Sequence, residues 1–399
     1  MSSATPSAIS PAVKASATHN RVEILDLLRL LAALAVVIFH YTFRGAAGDD
    51  GFTTLSLPAL APFTKYGYMG VQLFFVISGF VIAYSAENRS AVEFGIARAA
   101  RIYPCFIICM TLTFLATLAI GAPTFQVGLT HWLANLVIAA PALHRPFMDG
   151  AYWSLIYELT FYGWVVLLLA TGWFRRHLDT IIVVWLALAV LNYGLHSLAI
   201  KHIFLTDQSG FFAAGIVIYE MYRGRRDATV KLLLALATVL AVGQSLEYAE
   251  GFREHVHAAC SDAVIAMLAL AAIALVALVL VVRNVPLPSR TIAAAGGITY
   301  PLYLMHQNVG YMIFNRIGGA VPFAFVVIGT TIAMMTMAWL IWRFAERPGQ
   351  QLLKRALRAM ADYPVDFIAS LKPERAPMPE RRAKPRAAHV FATQSLLTR

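Results

Sequence analysis

The chain has 399 residues, of which 59% are hydrophobic and only 13% are charged, and its mean hydropathy is +0.67. Soluble domains carry about a quarter of their residues as charged side chains, so this composition excludes an ordinary soluble protein and predicts a surface that faces a lipid bilayer. The formal charge of +11 is therefore attributed to basic loops on one membrane face, and nucleic acid is not expected as a partner.

The apolar runs begin after a short polar segment. Residues 1–20 are rich in Ser, Ala, Thr and Pro, lack the apolar core of a signal peptide, and are predicted to form a disordered cytoplasmic extension. Residues 21–350 contain about ten apolar runs long enough to cross a hydrocarbon core of about 30 Å, and such runs must be helical to satisfy their backbone hydrogen bonds. The predicted transmembrane runs are 24–43, 66–86, 104–122, 153–171, 180–198, 203–222, 230–247, 263–282, 294–315 and 321–343.

The first run contains the sequence LLRLLAALAVVIFH, in which Arg29 and His40 interrupt an apolar helix. Their separation corresponds to about 16 Å of helical rise and places both side chains on one face. An ionisable side chain inside a membrane costs about 2.5–3.5 kcal/mol on insertion scales, so both are candidate functional residues. The alternatives are a snorkelling or helix-pairing Arg29 and a His40 that only links two helices by hydrogen bonds.

Three later runs contain polar residues, and two of these lie at a depth that matches His40. The second run contains Gln72, the fourth contains Glu158 near its outer end, and the ninth brings His306 to the outer third of the membrane. A carboxylate in lipid requires a cationic or hydrogen-bond-donating partner. We therefore expect Glu158 to face His40, with His306 in the same layer.

Two groups of residues are explained by packing. The glycines of the second run are expected to let helices approach closely; they are Gly67, Gly70 and Gly79. The cysteines match no metal-site spacing, so no metal is predicted; they are Cys105, Cys109 and Cys260.

Basic residues concentrate in the connections on one side of the membrane. Arg98 and Arg101 share a helical face at the entry to the third run, where two guanidinium groups can bind phosphates, or where they can serve only as a topology signal. The basic residues of later connections on the same side predict that both termini are cytoplasmic. Residues 351–399 are basic and rich in proline, and are predicted to form a largely disordered cytoplasmic tail.

Several of these segments occur in an order that resembles the acyltransferase type 3 family of integral membrane acyltransferases. The matching pieces are Arg-x10-His at Arg29 and His40, GVQLFFVISGF at 70–80, Arg-x-x-Arg at Arg98 and Arg101, YWSLIYELTFY at 152–162, TYPLYLMH at 299–306, and FAERP at 344–348. Pro301 departs from the family pattern, because many members have serine at that position.

The resemblance implies an all-α bundle of about ten transmembrane helices, over residues 21–350, in the bacterial inner membrane. It implies an O-acyltransferase that takes an acyl group, by default acetyl, from cytoplasmic acyl-CoA and delivers it to a hydroxyl of a cell-surface or exported polysaccharide. We predict the following roles: His40 as general base, Glu158 orienting it, Arg29 lining the donor path, Arg98 and Arg101 binding the phosphates of acyl-CoA, and His306, Gln72 and Tyr303 contacting substrate.

Other interpretations remain open from the sequence. A polar layer in a helical bundle is also typical of a transporter or flippase for a lipid-linked saccharide, although no internal repeat is visible. A scaffold protein is a third interpretation, and it gives no reason for ionisable groups to share one depth. The sequence leaves open whether transfer is direct or passes through an acyl-enzyme, which acceptor is used, and whether the protein forms a homo-oligomer.

Overall fold

A computed structural model of the protein describes residues 22–282 and 284–370. Every regular element in that part of the chain is helical, so the predicted all-α class is confirmed. The predicted disordered extension, residues 1–20, lies outside the described residues. The predicted tail from 351 begins inside a helix that continues to Ser370, and residues 371–399 lie outside the described part.

Eleven helices of fourteen or more residues form the frame of the described chain. They are α1 Glu23–Phe39, α2 Gly70–Ala86, α3 Ala91–Ile120, α4 Trp153–Ala170, α5 Leu178–Leu195, α6 Ser209–Tyr222, α7 Ala228–Val256, α8 Asp262–Ala277, α9 Ser289–Ile317, α10 Phe323–Ile341 and α11 Arg347–Ser370. A π-helical turn, His40–Arg44, continues α1, and another, Trp342–Glu346, joins α10 to α11.

Each predicted transmembrane run corresponds to one of the helices α1–α10. Within the described residues, eight helices are long and apolar enough to cross a membrane, which supports an integral membrane bundle. The two predicted spans outside that set are α6, which has only 14 residues, and α9, which carries a series of polar side chains. The total of ten spans and the cytoplasmic placement of the termini stay predictions.

Glycines allow three of the central helices to approach one another closely. A Cβ atom on Gly79 of α2 would lie 2.1 Å from the Phe212 carbonyl oxygen of α6, and one on Gly215 would lie 2.1 Å from the Val76 oxygen. Gly67 and Gly70 meet carbonyl oxygens of α1 in the same way. Any side chain at these positions would force the backbones apart, so the expected packing role of the glycines in the second run is confirmed.

The start of α3 is fixed by local signals in the sequence. Ser90 and Glu93 form a reciprocal capping box, in which each side chain accepts a hydrogen bond from the other residue's backbone N–H. The cap fixes where the helix begins, and Arg98 and Arg101 then follow on its second and third turns. The polar connection between α2 and α3 therefore sets the position of both arginines relative to the bundle.

By its internal contacts the chain divides into two units, residues 1–356 and 357–399. The first unit contains α1–α10, the start of α11, and all of the residues predicted to form a site. Of the second unit, the structure describes only the helical residues up to Ser370.

Candidate active site

A pair of histidines links α1 to α9. The Nδ1 atom of His40 lies 3.1 Å from Nε2 of His306 and 2.9 Å from the carbonyl oxygen of Val36, one turn earlier in α1. The Nδ1 atom of His306 lies 2.8 Å from the carbonyl oxygen of Tyr303. The two rings meet edge to face with centroids 4.9 Å apart.

The carbonyl oxygens determine where the protons of this pair lie. A carbonyl oxygen can only accept, so Nδ1 of neutral His306 must carry the hydrogen, and its Nε2 must be the acceptor. His40 then donates from Nδ1 to that Nε2 and to Val36. The Nε2 atom of His40 consequently keeps its lone pair, and it has no hydrogen-bond partner among the described residues. His40 as a whole residue is half-buried.

His306 is fully buried, whereas His40 is half-buried. The His306 side chain is completely buried, and its backbone carbonyl accepts a hydrogen bond of 2.9 Å from the hydroxyl of Tyr41, the residue after His40. His40 and Tyr41, at the start of the π-helical turn after α1, both contact His306 of α9, and these two contacts fix the relative position of the two imidazoles.

The expected pairing of Glu158 with His40 is wrong. Glu158 accepts hydrogen bonds from the hydroxyls of Ser78, at 3.4 Å, and Tyr162. Counting residues along α4 predicts that Glu158 lies at the depth of His40. In the structure, the α4 side chain that reaches α9 near the histidines is that of Ser154, one turn earlier. One helical turn is about 5.4 Å, enough to remove the carboxylate from the histidine layer. The hydrogen-bond partner of the His40 ring is instead His306.

A cavity of about 530 Å³ lies inside the bundle, next to the histidine pair. Ser154, Glu158 and Tyr162 follow one another at one-turn intervals along α4 and all line it. The structure brings five of the predicted site residues to this cavity; they are Arg29, Arg98, Arg101, Glu158 and Tyr303. His40, His306 and Gln72 are not among the described residues that line it. We call this space the donor cavity, because Arg98 and Arg101, the residues predicted to bind the donor, line it.

The three arginines of the donor cavity differ in how their charge is balanced. Arg29 forms an ion pair of 2.9 Å with Asp26, one turn earlier in α1. Arg101 forms an ion pair with Glu346, whose side chain is buried and also accepts a 2.7 Å hydrogen bond from Gln350. Both guanidinium groups therefore already have a carboxylate partner.

Arg98 differs from these two arginines, because its partners are a hydroxyl and aromatic rings. Its guanidinium donates to the hydroxyl of Ser85 at 3.1 Å and lies 5.7 Å and 5.8 Å from the ring centroids of Phe94 and Tyr162. None of its contacts in the described part of the chain is with a carboxylate, and its Nε atom is buried without a hydrogen-bond partner. A cation whose charge is not matched by an anion favours binding of an external anion such as a phosphate.

Gln72 occupies a separate position on α2. Its side chain is buried, with 3% of its surface exposed, and its Oε1 atom has no hydrogen-bond partner within the described residues. The proposed contact of Gln72 with substrate stays a prediction.

Sequence reasoning missed two carboxylates that position the site. Glu346 lies within the FAERP segment, but its ion pair joins residues 245 positions apart and has no local signature. Asp149 accepts hydrogen bonds from the backbone N–H groups of Ala151, at 3.0 Å, and Asn308, at 2.9 Å, so it attaches the loop before α4 to α9 two residues after His306. Burial raises the pKa of Asp149 to about 7, although these two bonds lower it. Asp149 caps the 3₁₀ turn Gly150–Tyr152 that leads into α4. An aspartate just before a predicted helix is a recognised capping signal, so the sequence contained a clue to this residue.

Metal chemistry is not indicated by the arrangement of side chains. No group of three His, Cys, Asp or Glu side chains within residues 22–282 and 284–370 is placed to hold a metal ion. The polar groups of the site are imidazoles, hydroxyls, carboxylates and guanidinium groups.

A family model and several relatives match the region that contains these residues. The family model described as an acyltransferase domain matches residues 22–343, which includes every residue of the donor cavity and the histidine pair. No solved structure matches the chain.

Three relatives illustrate the similarity. Nodulation protein 10 of Rhizobium leguminosarum bv. viciae is 26% identical, over 82% of this chain and 93% of the relative. The acyltransferase MdmB of Streptomyces mycarofaciens is 31% identical, but over only 36% of this chain and 38% of the relative. The O-acetyl transferase of Shigella phage Sf6 is 25% identical, over 56% of this chain and 71% of the relative.

Proposed function

Because this chain belongs to the acyltransferase-domain family, whose model covers residues 22–343, we propose that it transfers an acyl group from acyl-CoA to a hydroxyl of a saccharide. We propose acetyl as the acyl group, by analogy with the relative named O-acetyl transferase. The acceptor is a cell-surface or exported polysaccharide, and the protein works in the bacterial inner membrane. The observation that carries the proposal is the His40 lone pair beside a cavity whose arginines suit an anionic donor.

The donor cavity is suited to the arm of acyl-CoA. Its volume of about 530 Å³ lies within the range of small-molecule sites, about 300–1,000 Å³. Tyr162 lies two turns, about 12 Å, along α4 from Ser154, and Arg98 lies against its ring. The phosphates therefore bind at Arg98, and the thioester extends along α4 toward the histidine pair.

The arginine roles are unequal in this proposal. Arg98, which has no carboxylate partner in the described chain, is the principal phosphate ligand. Arg101 is a second, weaker ligand, since its ion pair with Glu346 compensates part of its charge. Arg29 lines the path between the phosphates and the histidines and is kept in place by Asp26.

His40 acts as the general base in the proposed mechanism. Its Nε2 removes the proton of the acceptor hydroxyl as the hydroxyl oxygen attacks the thioester carbonyl carbon. The carbon–sulfur bond then breaks, and the proton passes from Nε2 to the departing thiolate. His40 is positively charged during this step, and the hydrogen bond from its Nδ1–H to His306 becomes charge-assisted and stronger. Direct transfer by this route needs no covalent acyl-enzyme.

Glu158 has a different role from the one first expected. Its hydrogen bond from Tyr162 holds that ring against Arg98, so the carboxylate acts as a positioning residue for the phosphate end of the donor cavity. Glu158 also lines the donor cavity, so in this proposal it is near the path of the thioester. This role predicts that loss of Glu158 affects donor binding more than proton transfer.

The test uses membrane vesicles that contain the protein, its native glycan and acetyl-CoA labelled in the acetyl group. We expect label in the glycan fraction with the wild-type protein, and loss of that label with His40→Ala. The exposed His202 of the same chain provides a matched control, and His202→Ala should retain transfer. Movement of glycan across the membrane without consumption of acetyl-CoA would contradict the proposal and support a transporter.

A further inference from the structure

A hydrogen bond between the hydroxyls of Ser154 and Tyr303 lies at the wall of the donor cavity. Their hydroxyl oxygens are 2.8 Å apart, both residues line the cavity, and each exposes only 8% of its surface. Ser154 also donates a 3.3 Å hydrogen bond to the carbonyl of Ala151. The Tyr303 hydroxyl is therefore the donor in the pair, and the contact joins α4 to α9.

Tyr303 also contacts the histidine pair. The ring of Tyr303 is 5.7 Å from the ring of His306, and the Tyr303 carbonyl is the group that accepts from His306 Nδ1. Phe74 of α2 packs against the Tyr303 ring at 5.6 Å. Ser154 and Tyr303 line the donor cavity, whereas neither His40 nor His306 is among its described lining residues. Tyr303 therefore both lines the cavity and contacts His306, the hydrogen-bond partner of the base.

We infer that the hydrogen bond between Ser154 and Tyr303 is a partition that keeps the thioester away from His40 until an acceptor is bound. The inference rests on the proposed function, because it assumes that the cavity holds the arm of acyl-CoA. Its physical reason is that water is smaller than an acceptor saccharide, so water can reach His40 wherever an acceptor hydroxyl can. Water at Nε2 would be activated in the same way as an alcohol.

The reaction that the partition suppresses is hydrolysis of the donor. The oxygen of water would form a bond with the carbonyl carbon, and the carbon–sulfur bond would break. One water proton would pass through His40 to the thiolate, and the products would be free CoA and a carboxylic acid. An enzyme without the partition would consume acyl-CoA when no saccharide is present. Ser154 and Tyr303 are therefore positioning residues that make donor consumption dependent on the acceptor.

The test measures acetyl-CoA hydrolysis without acceptor, as release of free thiol from the purified full chain in lipid nanodiscs. Tyr303→Phe and Ser154→Ala each remove the same hydrogen bond from opposite sides, and each should raise the hydrolysis rate on the order of fivefold. The double variant should match either single variant, because only one bond is lost. Adding His40→Ala to Tyr303→Phe should return hydrolysis to the wild-type rate.

Matched controls come from buried hydroxyls outside the donor cavity. Ser245→Ala removes a bond to a carbonyl of its own helix, and Tyr219→Phe removes a bond to Glu87, so both should leave hydrolysis unchanged. Thermal unfolding of each variant reports on folding. Unchanged hydrolysis in folded Tyr303→Phe and Ser154→Ala would overturn the partition. So would loss of transfer in Tyr303→Phe alone, because that result assigns the phenol a direct chemical role.

Direct binding separates this inference from the proposed function. Equilibrium binding of labelled acetyl-CoA to the wild-type protein should be measurable and should weaken in Arg98→Gln. No binding to the wild-type protein would overturn the proposed function and the partition together. Binding that is retained while the Ser154 and Tyr303 variants show wild-type hydrolysis would overturn the partition alone.

Discussion

Replacement of His306 by Phe tests how the histidine pair supports the base. The substitution preserves a buried aromatic ring but removes Nε2, one of the two acceptors for the Nδ1–H of His40. The other acceptor, the Val36 carbonyl at 2.9 Å, remains and keeps the hydrogen on Nδ1. The contact of Tyr41 with residue 306 also remains, because it uses the backbone carbonyl. His306→Phe should therefore leave His40 in the correct tautomer but without its charge-assisted partner.

The size of the effect follows from that single lost bond. A hydrogen bond to a charged group contributes about 1.5–3 kcal/mol, and about 1.36 kcal/mol corresponds to a tenfold change in rate. The kcat for acyl transfer should fall by about 10-fold to 150-fold, with the KM for acyl-CoA nearly unchanged. His40→Ala removes proton transfer itself and should lower kcat by about 10²- to 10⁴-fold.

The assay is steady-state transfer from labelled acetyl-CoA in membrane vesicles, with kcat and donor KM measured for wild type, His306→Phe and His40→Ala. Thermal unfolding identifies variants that have lost the fold. A folded His306→Phe protein with wild-type kcat would refute the orienting role of His306. A loss of kcat equal to that of His40→Ala would also refute it, because His306 would then take part in proton transfer directly.

The remaining predictions concern the charged residues around the site. Arg98→Gln should raise the donor KM with little effect on unfolding temperature, since within the described residues Arg98 has no carboxylate partner and contacts a hydroxyl and aromatic rings; an unchanged KM would make it a topology signal. Arg101→Gln should lower stability by about 3–5 kcal/mol, because it leaves the buried Glu346 without its cation; thermal unfolding close to that of wild type would contradict this. The pKa of Asp149 rises from 3.8 to about 7 on folding, so its protonated form is favoured in the native state. The contribution of Asp149 to the free energy of unfolding should therefore decline by up to about 1.4 kcal/mol per pH unit as the pH rises between these two pKa values. Asp149→Asn removes this titration and should flatten the dependence of unfolding on pH.

The helices were predictable because their signal is local. A run of about twenty apolar residues must form a helix in lipid, and the spacing within one helix gives the shared face of Arg29 and His40. The capping box at Ser90 and Glu93 is equally local. Each of these features depends on residues within a few turns of one another.

The partners of the site residues were not predictable in the same way. Whether His40 meets Glu158 or His306 depends on the axial offsets of α4 and α9 relative to α1, which no local pattern encodes. Counting residues from an assumed membrane boundary gives depth only to within about one turn, and one turn separates Ser154 from Glu158. The pairing of Arg101 with Glu346 spans 245 positions and depends on the packing of α3 against the turn after α10.

The most direct test of the central claim is the acyl-ester content of surface polysaccharide, measured by mass spectrometry in cells that express the wild-type protein, His40→Ala or His202→Ala at equal membrane levels. If His40 is the base of an acyl transfer from acyl-CoA, the ester should be present with the wild-type and His202→Ala proteins and absent with His40→Ala. Polysaccharide from His40→Ala cells with the wild-type ester content would contradict the mechanism.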